Sequence, residues 1–210
     1  MPFPIILSAP SGGGKTTIAH ALLRQRSDLG YSISCTTRPA RPNEVDGKDY
    51  FFLTADEFDG RQAAGEFAEW AHVHGRRYGT LRGEVDRLLA SGRHVLMDID
   101  VQGAAQFAAS FPESVLIFLV PPSAEVLRQR LSGRMTESAE ALRCRLQTSR
   151  DELRAVSAYQ YVVVNDRLDE AVRQVSAIID AEALRRVRQP DISSRVDALV
   201  AELDRILVEV

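Results

Sequence analysis

The stretch Ser8-Ala9-Pro10-Ser11-Gly12-Gly13-Gly14-Lys15-Thr16-Thr17 constrains the fold more than any other part of the chain. It follows the apolar run Ile5 to Ser8 and opens a segment, Thr16 to Arg26, with Ile18, Ala21 and Leu22 on one helical face. A strand that turns through glycines into a helix is the setting of a phosphate-binding loop. Three consecutive glycines let the backbone curl with its N–H groups inward. Those groups and the helix N-terminus form a nest for phosphate oxygens. Ser11, Gly12, Gly13, Gly14, Lys15, Thr16 and Thr17 are therefore the expected nucleotide-binding residues. Lys15 can reach the β- and γ-phosphates as a point charge, and the Thr16 hydroxyl can ligate magnesium, which prefers oxygen. The G-x-x-x-x-G-K-[ST] pattern is broken once, by Ala9 at the first glycine. Alone, the loop implies a nucleoside triphosphate and does not separate a kinase from a GTPase or an ATPase. The bland alternative is a glycine-rich turn that ends by chance in Gly-Lys-Thr.

Further short apolar runs read as strands: Leu29 to Ser34, Val95 to Ile99, Ser114 to Val120 and Tyr161 to Val164. Continuous apolarity suits strands of a parallel sheet covered on both faces. Helical period separates them at Arg82 to Ala90, Ala124 to Leu131, Ala139 to Val156 and Asp169 to Arg188. This alternation predicts an α/β fold with a mostly parallel sheet flanked by helices. Cys35 to Tyr78 breaks the rhythm and reads as an inserted lobe, with short strand-like pieces such as Tyr50 to Leu53. Beyond Pro190, the residues Val196, Leu199, Val200, Leu203, Ile206, Leu207 and Val210 recur at helical spacing. The ordinary expectation for such a terminal helix is packing on its own domain; the sharper one is a subunit contact.

Bulk properties narrow the partners. A net charge of -3 argues against duplex nucleic-acid binding driven by the overall field. Cys35 and Cys144 lie far apart without metal-ligand spacing, which fits a reducing compartment and no zinc site. No apolar stretch approaches the roughly 20 residues that span a bilayer, and Met1-Pro2-Phe3-Pro4 lacks the basic residues of a signal peptide. The expectation is a cytoplasmic protein that engages neither membrane nor nucleic acid.

Asp98 and Asp100 end the third buried run. A carboxylate there sits beside a P-loop and can hold magnesium through water, although aspartate is also common at plain strand ends. Several further motifs carry a resemblance. Ser34-Cys35-Thr36-Thr37-Arg38-Pro39-Ala40-Arg41-Pro42-Asn43-Glu44, Gly47-Lys48-Asp49-Tyr50-Phe51-Phe52, Phe67-Ala68-Glu69-Trp70-Ala71, Tyr78-Gly79-Thr80 and Asp98-Ile99-Asp100-Val101-Gln102-Gly103 are similar in order and spacing to guanylate kinases. The resemblance runs from about Pro4 to Arg188 and stops before residue 190.

The resemblance implies a transfer of the ATP γ-phosphate to GMP, with Mg2+ as cofactor. It implies a P-loop core at 1–33, 82–125 and 155–189, a GMP-binding lobe at 34–81, a lid at 126–154 and a separate terminal helix at 190–210. Glu69 would accept from the guanine ring N–H and amine, Ser34 and Thr80 would serve the carbonyl, and Asp98 and Asp100 would line the pocket. Such a pocket rejects adenine because its buried polar groups go unpaired. Arg38 and Arg41, with the hydroxyls of Tyr50 and Tyr78, would cradle the GMP phosphate. Arg130, Arg134 and Arg145 would neutralise charge at the transferring group alongside Lys15 and Arg38, whereas Arg128 and Arg143 read as solubilising. Asn165 falls where the family's adenine-side loop lies. Whether dGMP also serves, and whether the terminal helix assembles copies, stays open.

Three positions depart from the family pattern: Met135 follows Gly133-Arg134 where a second lid glycine is usual, Arg77 precedes Tyr78, and Arg167 replaces an acid. The alternatives are a kinase for another small phosphorylated acceptor and a catalytically inactive guanylate-kinase-like module that binds phosphoproteins. Retention of Lys15, Arg38, Arg41 and the base-reading set speaks against both.

Overall fold

The computed structural model describes residues 1–73, 75–132 and 139–209. Its centre is strand β1 (Pro4–Ser8), in which every residue is buried. Alternation along this strand feeds two cores: Ile5 and Leu7 point into one, Ile6 into the other. α1 (Lys15–Gln25) covers the first face with Ile18, Ala21 and Leu22. β2 (Leu29–Tyr31) is shorter than the apolar run suggests, because the chain leaves the sheet after Tyr31.

A second sheet follows. β3 (Cys35–Thr36), β4 (Phe51–Phe52), β5 (Phe67–Val73) and β6 (Arg76–Leu81) pair in the order β4-β3-β6-β5, with α2 (Ala55–Ala63) beside them. Thr54 caps α2 by accepting from Glu57 N–H while the Glu57 carboxylate accepts from Thr54 N–H, so orphan donors at the helix start are satisfied reciprocally. The small core here is Cys35, Phe58 and Phe67, with the two phenyl rings stacked at 4.4 Å.

The chain then returns to the first sheet through α3 (Arg82–Ala90) and β7 (His94–Asp98). α4 (Val101–Ser110) and β8 (Val115–Val120) follow, then α5 (Ala124–Ser132) and α6 (Ala139–Leu153). A 3-10 turn at Arg154–Ala158 leads to β9 (Tyr161–Val164) and α7 (Leu168–Ala183). The five strands run parallel in the order β2-β7-β1-β8-β9. α1 and α7 cover one face; α3 and α4 cover the other with Val85, Leu88, Ala104 and Phe107. Each fully buried valine, leucine or phenylalanine among them contributes about 1.5–3 kcal/mol. The order reverses at β1, so a crevice opens at the carboxyl ends of β1 and β7, where open α/β sheets bind ligands. The parallel sheet flanked by helices is the α/β architecture that the alternation predicts.

α8 (Ile192–Glu209) overturns the ordinary expectation for the C-terminus. It does not pack on its own domain: Val196, Leu199, Val200, Leu203 and Ile206 are each about half exposed and Leu207 more so. No helix among the described residues is long and apolar enough to cross a membrane.

Candidate active site

At the carboxyl end of β1 the chain turns through the glycine loop. Gly12 and Gly14 take positive φ, 78° and 90°, which a side chain disfavours. Gly13 N–H donates to Pro10 O at 2.8 Å and tightens the turn. Lys15 Nζ donates to Ala9 O at 2.9 Å, folding the ammonium back over the loop. Thr16 and Thr17 begin the exposed first turn of α1.

Thr16 Oγ1 donates to Asp98 Oδ2 at 2.5 Å, and Tyr31 OH donates to Asp98 Oδ1 at 2.5 Å. Burial and the Asp98 carboxylate push the Tyr31 phenol well above its ordinary value, so it remains a donor. A threonine hydroxyl touching a carboxylate beside a phosphate nest is the hard-oxygen donor set that suits Mg2+. Among the described residues no group of three or more His, Cys, Asp or Glu gathers to hold a metal. Magnesium makes no such demand, since it keeps several waters and binds through one or two carboxylates.

The same crevice continues into the second sheet. A hollow of about 170 Å³ is lined by Lys15, Tyr31, Ser34, Tyr50, Glu69, Tyr78, Asp98 and Asp100. A larger hollow of about 540 Å³ lies at the other end of the sheet, around Met1, Glu113, Gln160 and Arg188. It contains no phosphate nest, so chemistry rather than size selects the smaller one.

Glu69 is the unusual group. On an isolated reading of its neighbourhood it would be a surface residue of an amphipathic helix. Instead it lies on β5, only 5% exposed. Thr80, across the strand pair, donates its hydroxyl to Glu69 Oε1 at 2.6 Å. Burial raises its carboxyl to about 7, opposed by the Thr80 hydrogen bond and reinforced by the Asp100 charge. Asp100 caps α4 by accepting from Gln102 and Gly103 N–H, both at 2.8 Å. A buried carboxylate with one partner and a cleft in front of it is an acceptor in want of donors.

The arginines are arranged unequally. Arg38 forks onto Glu44, at 2.8 and 2.9 Å, and stands over the Tyr50 ring at 5.3 Å. That pairing holds the Glu44 carboxyl at about 2 and keeps Arg38 charged. Arg41 is 67% exposed at its side chain and lies 3.8 Å from the same Glu44 carboxylate. Tyr50 and Tyr78 meet edge to face, their ring centroids 6.0 Å apart. Arg77 does not add charge beside Tyr78: successive strand residues face opposite sides, and Arg77 turns onto Asp59 and the Phe58 ring.

On the far side of the P-loop, Arg145 Nη2 donates to Ser11 Oγ at 3.2 Å, and Glu152 accepts from Ser11 N–H at 2.9 Å. Arg130 donates to Asn165 O at 3.0 Å, and its second, buried guanidinium nitrogen has no partner among the described residues. Asn165 itself lies buried under the loop, its amide donating to Gly13 O at 2.8 Å, so it braces the phosphate nest. Arg134, with Gly133 and Met135, lies outside the described residues; Arg167 is exposed at the start of α7. Sequence reasoning missed Tyr31, Glu44 and Glu152. Only Glu44 stood within a recognised motif, and nothing in the local pattern marks the other two.

Three comparisons bear on this arrangement. The family model described as guanylate kinase matches residues 1–182. The guanylate kinase of Symbiobacterium thermophilum is 48% identical over 184 residues, spanning 88% of this chain and 87% of that protein. That of Anaeromyxobacter dehalogenans is 50% identical over 189 residues, covering 89% and 84%. Among solved structures, the crystal structure of guanylate kinase from Anaplasma phagocytophilum superposes with a TM-score of 0.78 at 33% identity, covering 94% of each chain.

Proposed function

This chain belongs to the guanylate kinase family, and from that premise we propose how its residues carry the transfer of the ATP γ-phosphate to GMP, giving ADP and GDP. One observation supports the reading above the rest: a single crevice joins Lys15 and the P-loop to the Glu69, Ser34, Tyr50 and Tyr78 side. Donor and acceptor subsites therefore share a wall.

In this reading Ser11, Gly12, Gly13, Gly14, Lys15, Thr16 and Thr17 hold the ATP phosphates, and Asn165 supports the loop from beneath. Thr16 and Asp98 would hold Mg2+, Asp98 through an intervening water. When bound, that ion neutralises charge on the phosphate oxygens. Glu69 reads the guanine N–H groups, Ser34 and Thr80 serve its carbonyl, and Asp100 lies beside the amine. Arg38, Arg41, Tyr50 and Tyr78 hold the acceptor phosphate, for which Arg38 must leave Glu44. Arg130, Arg134 and Arg145 close over the transferring group. The acceptor phosphate is already anionic, so no general base is needed; catalysis rests on alignment, water exclusion and charge neutralisation.

The division into a core at 1–33, 82–125 and 155–189, an acceptor lobe at 34–81 and a lid at 126–154 belongs to the same proposal, as does use of dGMP, work in the cytoplasm without nucleic acid or membrane, and self-association through α8. The decisive experiment follows ADP formation from Mg-ATP with GMP, AMP, CMP and UMP as separate acceptors, for wild type and Lys15→Ala. Turnover selective for GMP, lost by at least about 100-fold in the folded variant, is expected. Equal rates with every acceptor would overturn the pocket assignment, and wild-type rates in Lys15→Ala the P-loop assignment.

A further inference from the structure

β5 is the edge of its sheet, so one row of its backbone groups has no strand partner. Helix α4 supplies the partners at the two residues that flank Glu69. Gln106 Nε2 donates to Trp70 O at 2.9 Å, and Trp70 N–H donates to Gln106 Oε1 at 3.3 Å. Ser110 Oγ donates to Ala68 O at 3.0 Å. The strand is thus held immediately before and after the buried carboxylate by side chains of a helix that belongs to the first sheet's core.

Gly103 completes the face. It lies three residues before Gln106 and seven before Ser110, so the three share one side of the helix. A Cβ at position 103 would stand 2.5 Å from Glu69 Oε2 and 3.1 Å from Glu69 Cδ, closer than carbon and oxygen can approach. Its backbone is ordinary for a helix, since its φ is not among the positive ones. Glycine inside a helix weakens it relative to alanine. The residue therefore serves volume, not conformation: the space a methyl would fill is the space that the Glu69 carboxylate occupies. Asp100, capping the same helix through Gln102 and Gly103 N–H, faces the same cleft.

We propose that Gly103, Gln106 and Ser110 form a specificity-determining device for the acceptor base, positioning Glu69 without touching substrate. Gly103 leaves room for the carboxylate, while Gln106 and Ser110 fix the strand on either side of it. The base reader is thereby referenced to the P-loop core rather than to its own small lobe. This rests on the reading of Glu69 as the guanine acceptor.

The test is steady-state kinetics of Gly103→Ala and Gln106→Ala, each in the wild-type and Glu69→Ala backgrounds, with GMP and ATP varied separately and AMP as a competing acceptor. In the wild-type background each variant should raise KM for GMP by about 10-fold or more and narrow the preference for GMP over AMP. KM for ATP should stay within about two-fold, which also reports an intact fold. In the Glu69→Ala background neither should cost more, because the group they position is gone. An unchanged KM for GMP in both variants, or an equal loss in the Glu69→Ala background, overturns the proposal. If Glu69→Ala alone leaves GMP use intact, the guanine reading fails instead. Gln106 is exposed, so its variant carries the test even should Gly103→Ala fold poorly.

Discussion

In the proposed reading, Glu69 trades stability for recognition. Its carboxyl is raised from 4.5 to about 7, chiefly by burial. The folded protein therefore holds this proton more tightly than the unfolded chain, and stability falls as pH rises. The loss begins above the unfolded value of 4.5 and is complete above about 7; its size is on the order of 3 kcal/mol. Glu69→Gln removes the ionisation and can still accept from Thr80. The unliganded variant should melt several degrees above wild type at pH 8, and the two should converge near pH 4.5. Scanning calorimetry across that range checks this, and parallel curves would mean that the carboxyl ionises freely when folded. Recognition runs the other way: only the ionised form accepts from two N–H donors, so GMP affinity should rise between pH 6 and 8 in wild type by more than in Glu69→Gln.

At the level of elements, Ser11 ties the P-loop to α6. Ser11 gives its N–H to Glu152 and takes a hydrogen bond on its hydroxyl from Arg145, while Ser149, fully buried, donates to its carbonyl at 3.5 Å. Arg145, Ser149 and Glu152 sit at i, i+4 and i+7, one face of a helix seated on the loop. Glu152→Ala should release that seat. A hydrogen bond to a charged group contributes about 1.5–3 kcal/mol, so kcat/KM for ATP should fall by roughly 10–100-fold while KM for GMP holds. Unchanged ATP kinetics would show that the seat is incidental. Legibility in the sequence follows the same physics. β8 is apolar throughout, and β1 and β7 are apolar apart from Ser8, His94 and Asp98, because helices cover both faces of the sheet there, and the glycine loop announces its own neighbours. β5 and β6, reading Phe-Ala-Glu-Trp-Ala-His-Val and Arg-Arg-Tyr-Gly-Thr-Leu, hide their strand character behind polar residues, among them Glu69 and Tyr78 at the cleft and Arg77 on the opposite side. α4 hides because alanine and glycine dominate its packing face. Family motifs named Glu69 and the arginines, but Glu152, Gln106 and Tyr31 act across long sequence separations that no local pattern encodes.

On the scale of the whole molecule, α8 is the element that the rest of the chain does not explain. Ile192, Val196, Leu199, Leu203 and Ile206 alternate three- and four-residue steps, the seam of a helix made to pair with another. An isolated helix of this length is marginal in water, so the stripe calls for a cover. An anionic membrane surface is a poor one, because the helix carries four acids against two arginines. A second copy fits better: a two-fold pair sets the same face against itself, and an antiparallel arrangement brings Arg195 of one helix towards Glu202 of the other. The proposed site lies at the carboxyl ends of β1 and β7, in residues outside this helix, so assembly and turnover should separate. A chain ending at Gln189 should keep kcat and both KM values within about two-fold, while its mass in solution by light scattering falls to that of one copy. Leu203→Glu in the full chain should do the same by burying a charge in the seam. The same mass for wild type, truncation and Leu203→Glu would leave α8 without a role in self-association, and a large loss of turnover on truncation would mean that the helix supports the core.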